Sequence, residues 1–294
     1  MTLDTRHLIS IIREQTAPFS PIPTDQAPSE HPLGGIRHIS FDVYGTLIAS
    51  GVGDIGNSAP ADRGAALGAV VNEFSPIALP ESRVLEESFL DEIRRSQEES
   101  RVLGAVQPEV EIRSVWRNFL RGMGIESISD AELEEIALRF ELLVNPVWPM
   151  PGLVEVLDNL STSFKPFSIV SNAQFFTPLL FPALVDRSLP ELGFDESLCI
   201  WSYEQREAKP SPHLFQELVA RLGPDFQPSE VLYVGNDKLN DVRAAQEAGL
   251  RTALFAGDQR SLRLREDVAE CRRIKPDLVL TSLTDLPNCV QKTR

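Results

Sequence analysis

Short apolar runs recur along the chain at 36–42, 167–171, 198–202, 231–235, 252–255 and 277–280. Each ends in polar or Gly/Pro-rich residues and suits a strand buried on both faces. Between most of them, at 152–160, 212–222, 241–248 and 262–273, apolar residues return at helical spacing. Strand alternating with helix predicts an α/β fold, a doubly wound parallel sheet with helices on both faces. The stretch from 60 to 147 breaks the rhythm. It contains no convincing strand and reads as helices at 63–74, 81–99, 110–123 and 130–144. An all-helical module is thus inserted after the first strand. Pro146, Pro149 and Pro151 mark the return to the core. The division expected is a core of 36–59 and 148–294, a helical unit at 60–147, and an N-terminal segment at 1–35.

Residues 3–15 predict a short amphipathic helix. Pro18, Pro21, Pro23, Pro28 and Pro32 follow, then Gly34 and Gly35. This composition describes a linker or an extended arm laid on the surface, and it favours a poorly ordered extension.

Composition narrows the function. Apolar residues make up 42% of the 294-residue chain, enough for a sizeable core. Lys and Arg number 28 against 43 Asp and Glu, a net charge of −15. Such a surface repels nucleic acid and anionic membrane, so neither is expected as a partner. A small anionic substrate would need local cations or a metal. Cys199, Cys271 and Cys289 are widely spaced and odd in number, which argues against a disulfide scaffold and for a reducing cytoplasm. No apolar run approaches the roughly 18 residues of a membrane span. The sequence sets no oligomeric state. Gly51-x-Gly53-x-x-Gly56 matches a dinucleotide fingerprint in form only. No acid follows about 20 residues later, and the segment reads as a hinge.

Chemistry gathers at the strand ends, where doubly wound sheets bind ligands. The first strand runs into Phe41-Asp42-Val43-Tyr44-Gly45-Thr46-Leu47, the second into Ser171-Asn172. Ala208-Lys209-Pro210 follows the third, and Gly235-Asn236-Asp237-Lys238-Leu239-Asn240-Asp241 ends the fourth. A carboxylate can act as nucleophile, a hydroxyl and an ammonium can hold anionic oxygens, and an acidic pair can bind Mg²⁺.

In these segments the chain resembles the haloacid dehalogenase-like hydrolase superfamily, over about 36–285. The helical insertion is similar to that family's cap of the first type. The resemblance implies that Asp42 is nucleophile and metal ligand, and that Lys209, Ser171 and Thr46 serve the catalytic site. Tyr44 and Asn172 would meet the substrate. Asp237 and Asp241, with the Tyr44 main-chain carbonyl, would complete a Mg²⁺ site; Asn236 is the alternative to Asp237. Two features pull apart. FDVYGTL, with Tyr44 where the family's phosphatases carry an acid, resembles the metal-independent L-2-haloacid dehalogenases. GNDKLND, with its acids, resembles the metal-dependent members. The reading expected is a Mg²⁺-dependent phosphatase of a small phosphorylated metabolite. The alternatives are a 2-haloacid dehalogenase needing no metal, and a non-catalytic binding protein on the same scaffold.

Overall fold

The computed structural model describes residues 3–52, 63–164 and 166–292. Gly53 and Gly56 of the glycine motif lie outside them. The strands, in chain order, are β1 (Leu33–Ile36), β2 (His38–Phe41), β3 (Ile48–Ser50), β4 (Val147–Pro149), β5 (Phe167–Ser171), β6 (Phe194–Trp201), β7 (Val231–Gly235), β8 (Arg251–Phe255), β9 (Leu278–Leu280) and β10 (Val290–Lys292). Six of them form one sheet in the order β6-β5-β2-β7-β8-β9, every pairing parallel. The order turns back at β2, with β5 on one side and β7 on the other. That is the switch point of a doubly wound fold, where a crevice opens beyond the carboxyl ends of the strands. β2 and β5 are buried throughout because helices cover both faces. Phe41, Phe167 and Phe194 meet edge to face beneath the crevice, with ring centroids 5.6–6.1 Å apart.

The insertion is helical, as expected: α2 (Arg63–Phe74), α3 (Ser82–Val102), α4 (Ile112–Gly122) and α5 (Asp130–Val144) follow α1 (Leu3–Gln15). Its own core gathers Phe89, Trp116, Phe119 and Phe140. Local chemistry sets the helix starts. Glu111 caps α4 by accepting from the Arg113 and Ser114 amides, and Ser129 and Glu132 form a capping box on α5. The cap meets the core at an antiparallel stem of β3 and β4. It is also seated on the core by the segment before α4. There the Gln174 side chain accepts from the Ile112 amide and donates to the Val110 carbonyl.

Two expectations need correction. The N-terminal segment is not a loose extension. Leu8, Ile9, Ile11 and Ile12 of α1 are buried against α5 and against α7 (Leu180–Leu184), which comes after α6 (Leu153–Phe164) and β5 in the chain. Arg13 donates to the Pro182 and Ala183 carbonyls and pairs with Asp186. The arm then follows the edge of the sheet. Thr24 Oγ1 donates to the Ala256 carbonyl (2.7 Å), the Ser29 amide donates to the Val279 carbonyl (2.9 Å), and β1 pairs with β10. Proline suits an extended strap that needs few amide donors of its own. The second correction is at 262–273, where helix is confined to Ala269–Arg273. The residues before it form a loop that exchanges backbone hydrogen bonds with the end of β7: Arg263 N to Asn236 O, Lys238 N to Arg263 O.

The helix expected at 241–248 starts earlier, as a π-helical turn at Lys238–Arg243 that continues into Ala244–Glu247. No helix among the described residues is long and apolar enough to cross a membrane. Cys199, Cys271 and Cys289 are all free thiols.

Candidate active site

The sheet brings the four strand-end segments to one cavity of about 370 Å³ between core and cap. Asp42 follows β2 directly and projects into it. Its Oδ1 accepts hydrogen bonds from Ser171 Oγ and Lys209 Nζ, each 2.8 Å. Its Oδ2 accepts none among the described residues. One oxygen is therefore anchored and the other left for chemistry.

Lys209 is buried and its three ammonium donors find three acceptors: Asp42 Oδ1, Asp241 Oδ1 (2.6 Å) and Tyr233 Oη (3.0 Å). Tyr233 in turn donates to the Val170 carbonyl at 2.6 Å. Asn172 locks the lysine from behind: its Oδ1 accepts from the Lys209 amide (2.8 Å) and its Nδ2 donates to the Lys209 carbonyl. Asp241 Oδ2 accepts from the Asp237 amide at 2.9 Å. Gly235 is what lets Asp241 fold back so tightly. A Cβ there would stand 2.4 Å from Asp241 Cγ.

The loop after Asp42 is equally close-fitting. Gly45 has a positive φ of 81°, and a Cβ on it would lie 2.6 Å from Asn236 Nδ2. Thr46 Oγ1 donates to Asn236 Oδ1 (3.2 Å), and Asn236 Nδ2 donates to the Ser261 carbonyl (2.6 Å). Thr46 thus ties the nucleophile loop to the end of β7. The Tyr44 hydroxyl is 3.1 Å from Thr177 Oγ1, on the cavity wall.

Asp237 is occupied. Its Oδ1 accepts from the Leu239 and Asn240 amides, capping the turn that follows, and both oxygens face Arg265. Two amides and a guanidinium satisfy this carboxylate.

Burial pushes the Asp241 carboxyl up to about 7; the Lys209 ammonium pulls it down, while Asp42 and Asp237 add to the rise. Lys209 stays charged: burial opposes its charge, and Asp241 and Asp42 together more than offset that. Two carboxylates around one ammonium leave a surplus of negative charge, which a further cation would neutralise. Mg²⁺ binds through one or two carboxylates, completed by water and substrate oxygens. Asp42 and Asp241 meet that need; among the described residues no larger group of acids, histidines or cysteines comes together to hold a metal.

The cap supplies the rest of the wall. Leu67, Phe89, Trp116, Phe140 and Val144 line it, as does Phe176 from the core. Val115, Phe119 and Leu120 face the cap interior. The Trp116 indole N–H is buried with no partner among the described residues. Of the cap arginines, Arg63 reaches the cavity; Arg113 pairs with Glu111 and Glu134, and Arg117 with Asp130. Glu109, Glu141 and Arg263 also line the cavity. Nothing in their sequence neighbourhoods marks them: they arrive from the cap and from a late loop, and only the fold brings them to Asp42.

The sheet order, the aspartate after the first core strand and the lysine bridging two carboxylates define a doubly wound α/β enzyme with a capped carboxylate site. A family model, haloacid dehalogenase-like hydrolase, matches residues 36–249, and the chain belongs to that family of enzymes. No curated protein matches the chain. Among solved structures, a 2-haloacid dehalogenase from Pseudomonas syringae is similar at 20% identity, over 86% of this chain and 97% of its own, with a TM-score of 0.55. The defluorinating L-2-haloacid dehalogenase Rha0230 matches at 18% identity over 92% and 98%, TM-score 0.50. A protein from Bacillus subtilis described as a HAD-hydrolase, YfnB, bound to magnesium, matches at 21% over 86% and 97%, TM-score 0.46. Likeness at these identities concerns the fold.

Proposed function

We propose that this hydrolase is a Mg²⁺-dependent phosphatase acting on a small phosphorylated metabolite in the cytoplasm, with Asp42 as nucleophile. The observation that carries this reading is the division of labour on Asp42. Ser171 and Lys209 hold Oδ1, and Oδ2 is left to attack phosphorus. The P–O bond to the leaving group breaks as the aspartyl phosphate forms. Water then attacks phosphorus, the bond to Asp42 breaks, and phosphate departs. Ser171 and Lys209 orient the carboxylate and meet charge that develops on the phosphoryl oxygens. Asp42, Asp241 and the Tyr44 carbonyl are the residues that would hold Mg²⁺. When bound, the ion supplies Lewis-acid stabilisation of phosphoryl oxygens. Asp237 stays with Arg265 and the turn it caps. The walls exclude water and admit an apolar body behind the anionic head.

One observation favours a second reading. Burial holds the Tyr44 phenol far above its ordinary value, so it donates a proton poorly. A halide leaving group needs no proton, as in metal-independent dehalogenation of a 2-haloacid.

Phosphate release from a panel of phosphate esters, with and without Mg²⁺ and with Asp42→Asn as control, tests the first reading. Magnesium-dependent release abolished in the control is expected. No release, together with halide release from 2-chloropropionate, would overturn it in favour of the second. Neither release would leave the scaffold as a binding protein.

A further inference from the structure

We infer that Glu141, on cap helix α5, is the general acid and base of the reaction, delivering a proton to the leaving oxygen in place of Tyr44. The inference rests on the phosphatase reading above.

An alkoxide is a poor leaving group in water and must be protonated as it departs. The acids around the cavity can be sorted by what already holds them; Glu86, on α3, also lines the wall, but its charge does not act on Tyr44 as that of Glu141 does. Asp42 is the nucleophile. Asp241 is tied to Lys209, and Asp237 to Arg265. Glu109 has both oxygens engaged: Oε1 accepts from the Val110 amide and Oε2 from Ser202 Oγ. Glu141 has one. Its Oε1 accepts from Asn145 Nδ2 at 3.0 Å, and its Oε2 accepts no hydrogen bond among the described residues. The side chain is enveloped by protein yet retains accessible surface, because what it faces is the cavity.

Its mounting suits the task. Asn145 is itself buried, and its Oδ1 accepts from Ser50 Oγ at 2.6 Å. Ser50 lies on β3 and Asn145 lies next to the start of β4, so the Ser50–Asn145–Glu141 chain runs from the stem into the cap. The acid is thereby held at the joint where the cap meets the core, on the side of Tyr44. The two are close enough for the Glu141 charge to raise the Tyr44 phenol, second only to burial. Burial also raises Glu141 itself above the ordinary carboxyl range, opposed by Asn145 and by Arg63, so it keeps a proton to higher pH than a surface glutamate.

The proton balance closes over the cycle. As Asp42 Oδ2 bonds to phosphorus, the P–O electron pair moves to the leaving oxygen, which takes the proton of Glu141 and leaves as an alcohol. Glu141, now a carboxylate, takes a proton from the water that attacks the aspartyl phosphate. Phosphate and the Asp42 carboxylate are released, and Glu141 is again protonated.

Leaving-group dependence tests this. Glu141→Gln keeps the acceptor for Asn145 but has no proton to give. With 4-nitrophenyl phosphate, whose leaving group needs no proton, the variant should retain the single-turnover rate of 4-nitrophenolate release within about threefold, while the later hydrolysis of the aspartyl phosphate slows. With an alkyl monophosphate it should lose about 10²–10³-fold. Equal loss of this single-turnover release on both esters, or no loss on either, would overturn the assignment. If the variant does not fold, wild-type kcat against leaving-group pKa decides: a shallow slope supports an internal acid, a steep one overturns it. No phosphate release by wild type from either ester would remove the phosphatase reading and this role with it.

Discussion

Lys209 joins the site at the scale of single residues. Its ammonium is shared by Asp42 and Asp241, and both carboxylates are nearly inaccessible to water. Lys209→Met removes the charge and leaves two buried carboxylates facing each other. Hydrolysis should fall about 10²–10³-fold, and the urea midpoint should drop as well, because an uncompensated buried charge is costly. A Cβ at Gly235 strikes Asp241, so Gly235→Ala should abolish activity while circular dichroism reports an intact sheet. Away from the site, His38 lies buried with Nε2 2.8 Å from Ser168 Oγ. Burial pushes its imidazole from the ordinary 6.5 down to about 4, against a weaker upward pull from Asp195. The unfolded chain therefore gains this proton near the ordinary value and the folded chain only near the lower one. Acidification through that window favours unfolding, by up to about 3 kcal/mol. Urea midpoints should fall more steeply between pH 7 and 4.5 in wild type than in His38→Gln.

At the scale of elements, α1 and the cap deserve comparison. α1 is short and would be marginal alone. It is held by the apolar face that it lays across α5 and α7, one from the cap and one from the core. Ile12 is fully buried there, and Ile12→Ala should cost about 2–4 kcal/mol in urea denaturation. His7, largely exposed on the same helix, pairs with Glu135 of α5; His7→Ala should cost well under 1 kcal/mol. The helix bridges the two parts of the molecule that enclose the cavity, so the N-terminal segment belongs to the architecture of the site. The stem of β3 and β4 joins the same parts from within.

The whole molecule carries a net charge of −15, and its catalytic cavity holds more carboxylates than cations can fully offset. On the phosphatase reading proposed above, a phosphate ester would approach against this field. Screening weakens the long-range repulsion more than it weakens the buried contacts of Lys209. At fixed Mg²⁺, kcat/KM for a dianionic ester should therefore rise about two- to threefold between 20 and 200 mM NaCl. A flat or falling profile would mean that local cations, not the overall field, govern encounter.

Much of this was legible in the chain itself. Apolar runs between helical patterns determined the α/β class and its parallel sheet, because a strand buried on both faces has no alternative composition. The residues at the strand ends determined Asp42, Ser171, Lys209 and Asp241 as one group, since the sheet order brings carboxyl ends together whatever the loops do. Tertiary structure alone decided the rest. Asp237 faces Arg265, a contact between loops that local sequence does not encode. The Pro-rich arm, read as loose, docks because β8, β9 and β10 offer it backbone partners. Leu67, Phe89, Trp116 and Glu141 of the cavity wall stand 25, 47, 74 and 99 residues beyond Asp42 in sequence. Their place beside it is a property of packing, which no local pattern carries.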